Sequence, residues 1–123
     1  MSESEKPGVV FDQITFLANF SGMEDLAMET IRSFIFTLPA LLAAIDQAIH
    51  SGKARDLELS AHTLKGAVSN FYAEGSRRLA WQLEKIGHEG RTNGAETTFS
   101  ELKIELDRLS AALTGLVSSA GVA

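Results

Sequence analysis

The sequence predicts an all-α protein: an antiparallel up-down-up-down four-helix bundle with a short additional N-terminal helix. Three observations carry that prediction. Apolar residues recur in alternating steps of four and three along several long stretches, the spacing of one helix face. No segment alternates apolar and polar residues for long enough to make a strand. The stretches are joined by short turns, and short connections between long helices make neighbours antiparallel.

Composition agrees. A chain of 123 residues is enough for one domain around a single core. Two prolines among many Ala, Leu and Glu residues favour helix over strand. A hydrophobic share of 45% and a charged share of 22% are those of a soluble globular protein. The net charge of −5 argues against nucleic acid, which calls for a basic surface. The lack of cysteine excludes disulfides and thiolate metal sites and fits a reducing cytoplasm. Residues 1–7 are polar and charged, unlike a signal peptide. The apolar, uncharged run 33–45 is too short to cross a bilayer and contains Pro39. The expectation is a cytoplasmic protein with no membrane segment, and one closed core gives no reason to expect more than a monomer.

Residues 1–8 read as a disordered leader, 9–117 as the helical domain and 118–123 as a frayed tail. Val10, Phe11, Ile14 and Leu17 predict the short first helix. Ser21-Gly22-Met23-Glu24 has the pattern of a capping box, with Ser21 as N-cap and Glu24 reaching back. It opens a second helix whose seam is Ile31, Ile35, Leu38, Leu42, Ile45 and Ile49. Pro39 removes one hydrogen bond there and predicts a kink; Ser51-Gly52 ends the helix. The third helix should run over 53–71, with Leu57, Ala61, Leu64, Val68 and Phe71 inward. After a turn at Tyr72-Ala73-Glu74-Gly75, the fourth helix turns Leu79, Leu83 and Ile86 inward, and Gly87 and Gly90 bound its end. Asn93-Gly94-Ala95-Glu96 is a second capping pattern. The last helix carries Phe99, Leu102, Leu106, Leu109, Leu113 and Leu116.

The third helix holds the chemistry. At about 100° per residue its five apolar positions gather on one side. His62 falls on the other, with Arg55, Glu58, Leu59, Lys65, Gly66 and Ser69. A solvent-facing histidine is a competent nucleophile near neutral pH, because an unperturbed imidazole titrates at about 6.5. Attack on a phosphoryl group also needs nearby positive charge, and Lys65 lies one turn away to supply it. A bulky phosphorylated partner needs clear approach. Gly66 leaves that room, although glycine inside a helix costs about 1 kcal/mol relative to alanine. Close packing of two helices is the other reason for a glycine at 66. Glu58, one turn before His62, could hold the imidazole or be a solvated charge. Leu59, apolar on a polar face, and Ser69 flank His62 and suit a docking surface. His50 and His88 sit where helix C-termini favour positive charge, Tyr72 and Trp81 read as packing residues, and Arg77 and Arg78 as a solvated face. Facing Glu-x-x-His pairs, phosphate-cradling loops and nucleophile triads are absent from the sequence.

Ala61-His62-Thr63-Leu64-Lys65-Gly66-Ala67, followed by Asn70-Phe71 and Ala73-Glu74, resembles the signature of histidine-containing phosphotransfer (HPt) domains of two-component phosphorelays. The likeness extends to Leu38-Pro39-Ala40-Leu41-Leu42 before it and to Leu79, Leu83 and Glu84 after it, so about residues 20–115 fit the family's layout. The resemblance implies that His62 is the phosphoacceptor, that Lys65 neutralises the phosphoryl group and that Gly66 is the clearance position. It further implies that Glu84, where the family can carry Gln or Glu, orients the imidazole. The implied partners are response-regulator receiver domains and a hybrid sensor histidine kinase. Magnesium belongs to the receiver, so no cofactor is expected on this chain, and without a nucleotide site it would not phosphorylate itself. The competing reading is a helical adaptor that binds a receiver or other partner without carrying phosphate. A third is the phosphotransfer domain of a chemotaxis-type kinase or hybrid sensor on its own.

Overall fold

A computed structural model describes residues 9–120. Among these the chain forms five helices: α1 (Gln13–Ala18), α2 (Glu24–His50), α3 (Ala54–Ser69), α4 (Glu74–His88) and α5 (Ala95–Ser119). The leader expected over 1–8 lies outside the described residues, and α5 continues to Ser119, past the start of the expected tail. Helices α2 to α5 pack each against the next, and α2 also meets α5, which closes a four-helix ring around one core. The tightest pair is α3 with α4.

The seams of α3 and α5 are occupied as the periodicity predicts. Leu57, Ala61, Leu64, Val68 and Phe71 are buried, as are Phe99, Leu102, Leu106, Leu109 and Leu113. In α2, Ile31, Leu38, Ile45 and Ile49 are buried while Ile35 and Leu42 are only partly so; Ala27, Met28, Phe34 and Ala48 complete the inward face. This helix runs unbroken through Pro39. By length and composition alone it could cross a membrane. In the fold it is a core helix, with eight residues buried and Glu24, Asp25, Glu29, Arg32 and Asp46 on its outer side.

Several local expectations give way to tertiary contacts. Ile14 is 72% exposed, and α1 instead inserts Phe16. Its ring lies 5.0 Å from Phe71 and 5.1 Å from Phe20, and Phe34 lies 4.9 Å from Phe71, so α1 plugs one end of the bundle with aromatic residues. Asp12 caps this short helix through both carboxylate oxygens, which accept from the Thr15 N–H and hydroxyl. Ser21 does not cap α2. The N-cap is Met23, without a side-chain bond, because Gly22 at φ 80° turns the chain first; Glu24 reaches back only to the Gly22 N–H. Asn93 likewise gives way to Gly94, the N-cap of α5 at φ 82°. Gly52, at φ 65°, does end α2 in the left-handed conformation.

In α4 the buried face is Ser76, Ala80, Leu83 and Gly87, with Leu79 and Ile86 at its margins. Gly87 therefore lies inside the helix, and Gly90, at φ 80°, makes the turn after it. Tyr72 and Trp81 are both exposed rather than buried packing residues. The Tyr72 hydroxyl accepts from Asn19, and the Lys85 ammonium lies 5.5 Å from the centre of the Trp81 ring.

Candidate functional site

The burial of Leu57, Ala61, Leu64 and Val68 fixes which way α3 faces, and that orientation leaves the His62 side chain 64% exposed. Its Nδ1 lies 2.9 Å from Glu84 Oε2, on the neighbouring helix α4. The other oxygen, Glu84 Oε1, is buried and lies 2.6 Å from the Lys65 ammonium. One carboxylate thus holds both the imidazole and the cation. The structure brings together His62, Lys65 and Glu84, three of the residues that the sequence singled out.

The electrostatics decide which ring nitrogen is free. Burial pushes the Glu84 carboxyl up, but the bonds from Lys65 and His62, with their charge, outweigh it and hold the group below its usual range. An ionised carboxylate can only accept, so Nδ1–H is the donor in the bond to His62. In the neutral ring the lone pair then resides on Nε2. An imidazole with a free ring nitrogen, an ammonium and the carboxylate that binds both are together on one surface.

Gly66 lies one turn along from His62, and a methyl group built on it would meet nothing within 4 Å. Close helix packing is therefore not its reason, and the space above it is open. Leu59 is 49% exposed and lines a shallow hollow with Thr63 of α3 and Ala44 and Ala48 of α2. Ser69 is half-buried, and its hydroxyl donates to the Lys65 carbonyl at 2.7 Å, so it is committed to the backbone of its own helix. Glu58 does not hold His62. Its carboxylate accepts from His88 Nδ1 at 2.9 Å and from Arg55 at 2.9 Å. His88 is thus a cross-helix partner, not a helix cap, whereas His50 does meet the carbonyl of Asp46 at the end of α2. Among the described residues no group of three or more His, Asp or Glu is placed to hold a metal.

The family model of the Hpt domain matches residues 29–112, which include His62, Lys65, Gly66 and Glu84. The chain belongs to the Hpt family. Its function is histidine phosphotransfer in phosphorelays; Hpt domains are phosphoryl carriers rather than ATP-using kinases, and their partners are receiver domains. Two solved structures share the fold. Histidine-containing phosphotransfer protein B from Pseudomonas aeruginosa PAO1 superposes with a TM-score of 0.85 at 20% identity, covering 91% of this chain and 97% of its own. The HPT domain of an Hpt sensor hybrid histidine kinase from Shewanella gives 0.73 at 20% identity, covering 89% and 95%. No curated protein sequence matches significantly. The Hpt layout has a short helix before the four-helix bundle here, and α1 is that helix.

Proposed function

We propose that His62 is the residue that carries the phosphoryl group. The observation behind this reading is the shared Glu84 carboxylate, which holds His62 by Nδ1 and Lys65 by its ammonium. The Nε2 lone pair attacks the phosphorus of an aspartyl phosphate on a receiver domain. As the N–P bond forms, the bond from phosphorus to the aspartate oxygen breaks, and the aspartate leaves as a carboxylate. The ring then bears the phosphoryl group on Nε2 and keeps its Nδ1 proton, still bonded to Glu84. Transfer onward is the same step in reverse, with a second receiver's aspartate attacking phosphorus and the imidazole leaving.

Lys65 lies close enough to offset the roughly two negative charges that arrive with the group. Gly66 leaves room for the receiver, and Leu59 gives it an apolar contact beside the hollow between α2 and α3. Ser69 contributes indirectly, by fixing the backbone at Lys65. The magnesium that supports attack on the aspartyl phosphate resides in the receiver, so this chain needs no metal or nucleotide. Its phosphoryl group comes from elsewhere, as from the receiver of a hybrid sensor kinase. The chain works in the cytoplasm, as a monomer.

The test uses a receiver domain carrying labelled aspartyl phosphate. Wild-type protein should acquire acid-labile, base-stable label and His62→Gln none. Label on His62→Gln equal to wild type would refute the assignment, and docking without label in either would favour a mere adaptor.

A further inference from the structure

The α3–α4 interface carries a second histidine–carboxylate bond, one turn from the first and opposite in direction. His62 of α3 donates to Glu84 of α4, and His88 of α4 pairs with Glu58 of α3, both at 2.9 Å. Four residues back along α3 match four residues forward along α4, as one antiparallel register requires. Glu58 also has a cation on its other oxygen, Arg55, as Glu84 has Lys65.

At the Glu58–His88 bond the backbones of the two helices come close together. A methyl group built on Gly87 would lie 2.5 Å from Glu58 N, 2.6 Å from the Ala54 carbonyl oxygen and 2.9 Å from Glu58 Cα. All three are backbone atoms, so no side chain can swing aside. An alanine would force the helices apart by about 1 Å to reach ordinary contact distances. Gly87 lies within one turn of Glu84, and Glu58 one turn from His62. A shift of that size turns a 2.9 Å bond into a separation too long for a hydrogen bond. Lys65 sits on α3 with His62, so the same displacement also draws its ammonium away from Glu84.

We propose that Gly87, with the Glu58–His88 pair, sets the register in which Glu84 meets His62 and Lys65. The three are positioning residues for phosphoryl transfer and touch no reacting atom. The proposal rests on the reading of His62 and Glu84 above, but its first readout is independent of transfer.

That readout is the tautomer of the His62 ring, taken from long-range proton–nitrogen NMR at about pH 8.5, where an ordinary imidazole is neutral. Wild-type protein should show the proton on Nδ1. Gly87→Ala should move it substantially to Nε2 while circular dichroism still reports a helical, cooperatively melting protein. Transfer from a labelled receiver should fall at least tenfold. Because Gly87 acts through Glu84, Glu84→Ala should cost far less in the Gly87→Ala background than in wild type. His88→Ala, which introduces no clash, should shift the tautomer in the same direction with a loss of about threefold. His88→Gln, whose amide can still donate to Glu58, should restore both. An unchanged tautomer in Gly87→Ala would overturn the proposal, as would losses from Gly87→Ala and Glu84→Ala that multiply in full. If Gly87→Ala does not fold, the His88 pair decides: wild-type behaviour of His88→Ala, or failure of His88→Gln to restore, overturns it. A wild-type protein that takes no phosphate would defeat the function assigned to His62 and leave the tautomer result standing.

Discussion

Enlarging residue 66 should raise stability and lower transfer at once. Inside α3 a glycine costs about 1 kcal/mol relative to alanine, chiefly in the entropy of the unfolded backbone. A Cβ at this position meets nothing within 4 Å, so no steric penalty offsets the gain. Gly66→Ala should therefore stabilise the protein by about 0.5–1 kcal/mol, or about 2–5 °C in Tm for a domain of this size. Gly66→Leu should be nearly as stable, since leucine ranks just behind alanine as a helix former. Transfer should follow the opposite order. Residues 62 and 66 lie four apart, with Cβ atoms about 5–6 Å from each other, so a leucine overhangs the approach to the imidazole. The alanine variant should lose no more than a few-fold in transfer rate. The leucine variant should lose at least a hundredfold, about 2.7 kcal/mol in the barrier. Thermal melts and a rapid-mixing transfer assay with a labelled receiver measure the two effects separately. A fall in Tm for either variant would mean that Gly66 is packed against something, and wild-type transfer by Gly66→Leu would remove clearance as its role.

Other perturbations probe the same site and its scaffold. Lys65→Ala should slow transfer at least tenfold yet change stability by no more than about 1 kcal/mol, since the ammonium forms a partly exposed ion pair; equal losses in both would make Lys65 structural. Ser76 is fully buried in α4, and its hydroxyl has no hydrogen-bond partner among the described residues. Ser76→Ala should raise stability by about 1 kcal/mol in denaturant melts, because it removes an uncompensated polar group and improves helix propensity; a drop of that size would reveal a partner for the hydroxyl. Glu84 has its folded-state pKa depressed below 4.5, so its contribution to stability is complete above the unfolded value and is lost as pH falls through the folded one. Wild-type stability should therefore decline on acidification below about pH 4.5, and less steeply in Glu84→Gln; parallel acid profiles would contradict the depressed pKa.

What was legible in the sequence is what helical periodicity encodes. The seams of α3 and α5 each repeat over several turns, so their faces follow from spacing alone, and with them the exposure of His62 and the nearness of Lys65 and Gly66. Six-residue α1 has too few turns for a pattern to decide its face, and its docking is set by the aromatic cluster around Phe16 and Phe71. Caps failed at Ser21 and Asn93 because Gly22 and Gly94 take positive φ and redirect the chain. The roles of Glu58, Gly87 and His88 depend on how α3 and α4 are aligned, which neither helix specifies by itself. Glu58 could be matched only with its own helix-mate His62, and Gly87 could not be told from Gly90 as the end of α4. The reach of Glu84 to His62 became readable only through the family resemblance, and the geometry supplied the rest: the same carboxylate also holds Lys65.

The account stands most directly on where the phosphoryl group sits. Phosphorylating the isotope-labelled protein with a receiver and recording proton–nitrogen correlations with phosphorus coupling identifies the atom bonded to phosphorus. The bond from Glu84 to Nδ1 predicts phosphorus on Nε2 of His62, with the Nδ1 proton retained. Phosphorus on Nδ1 of His62, or on any other residue, would contradict it.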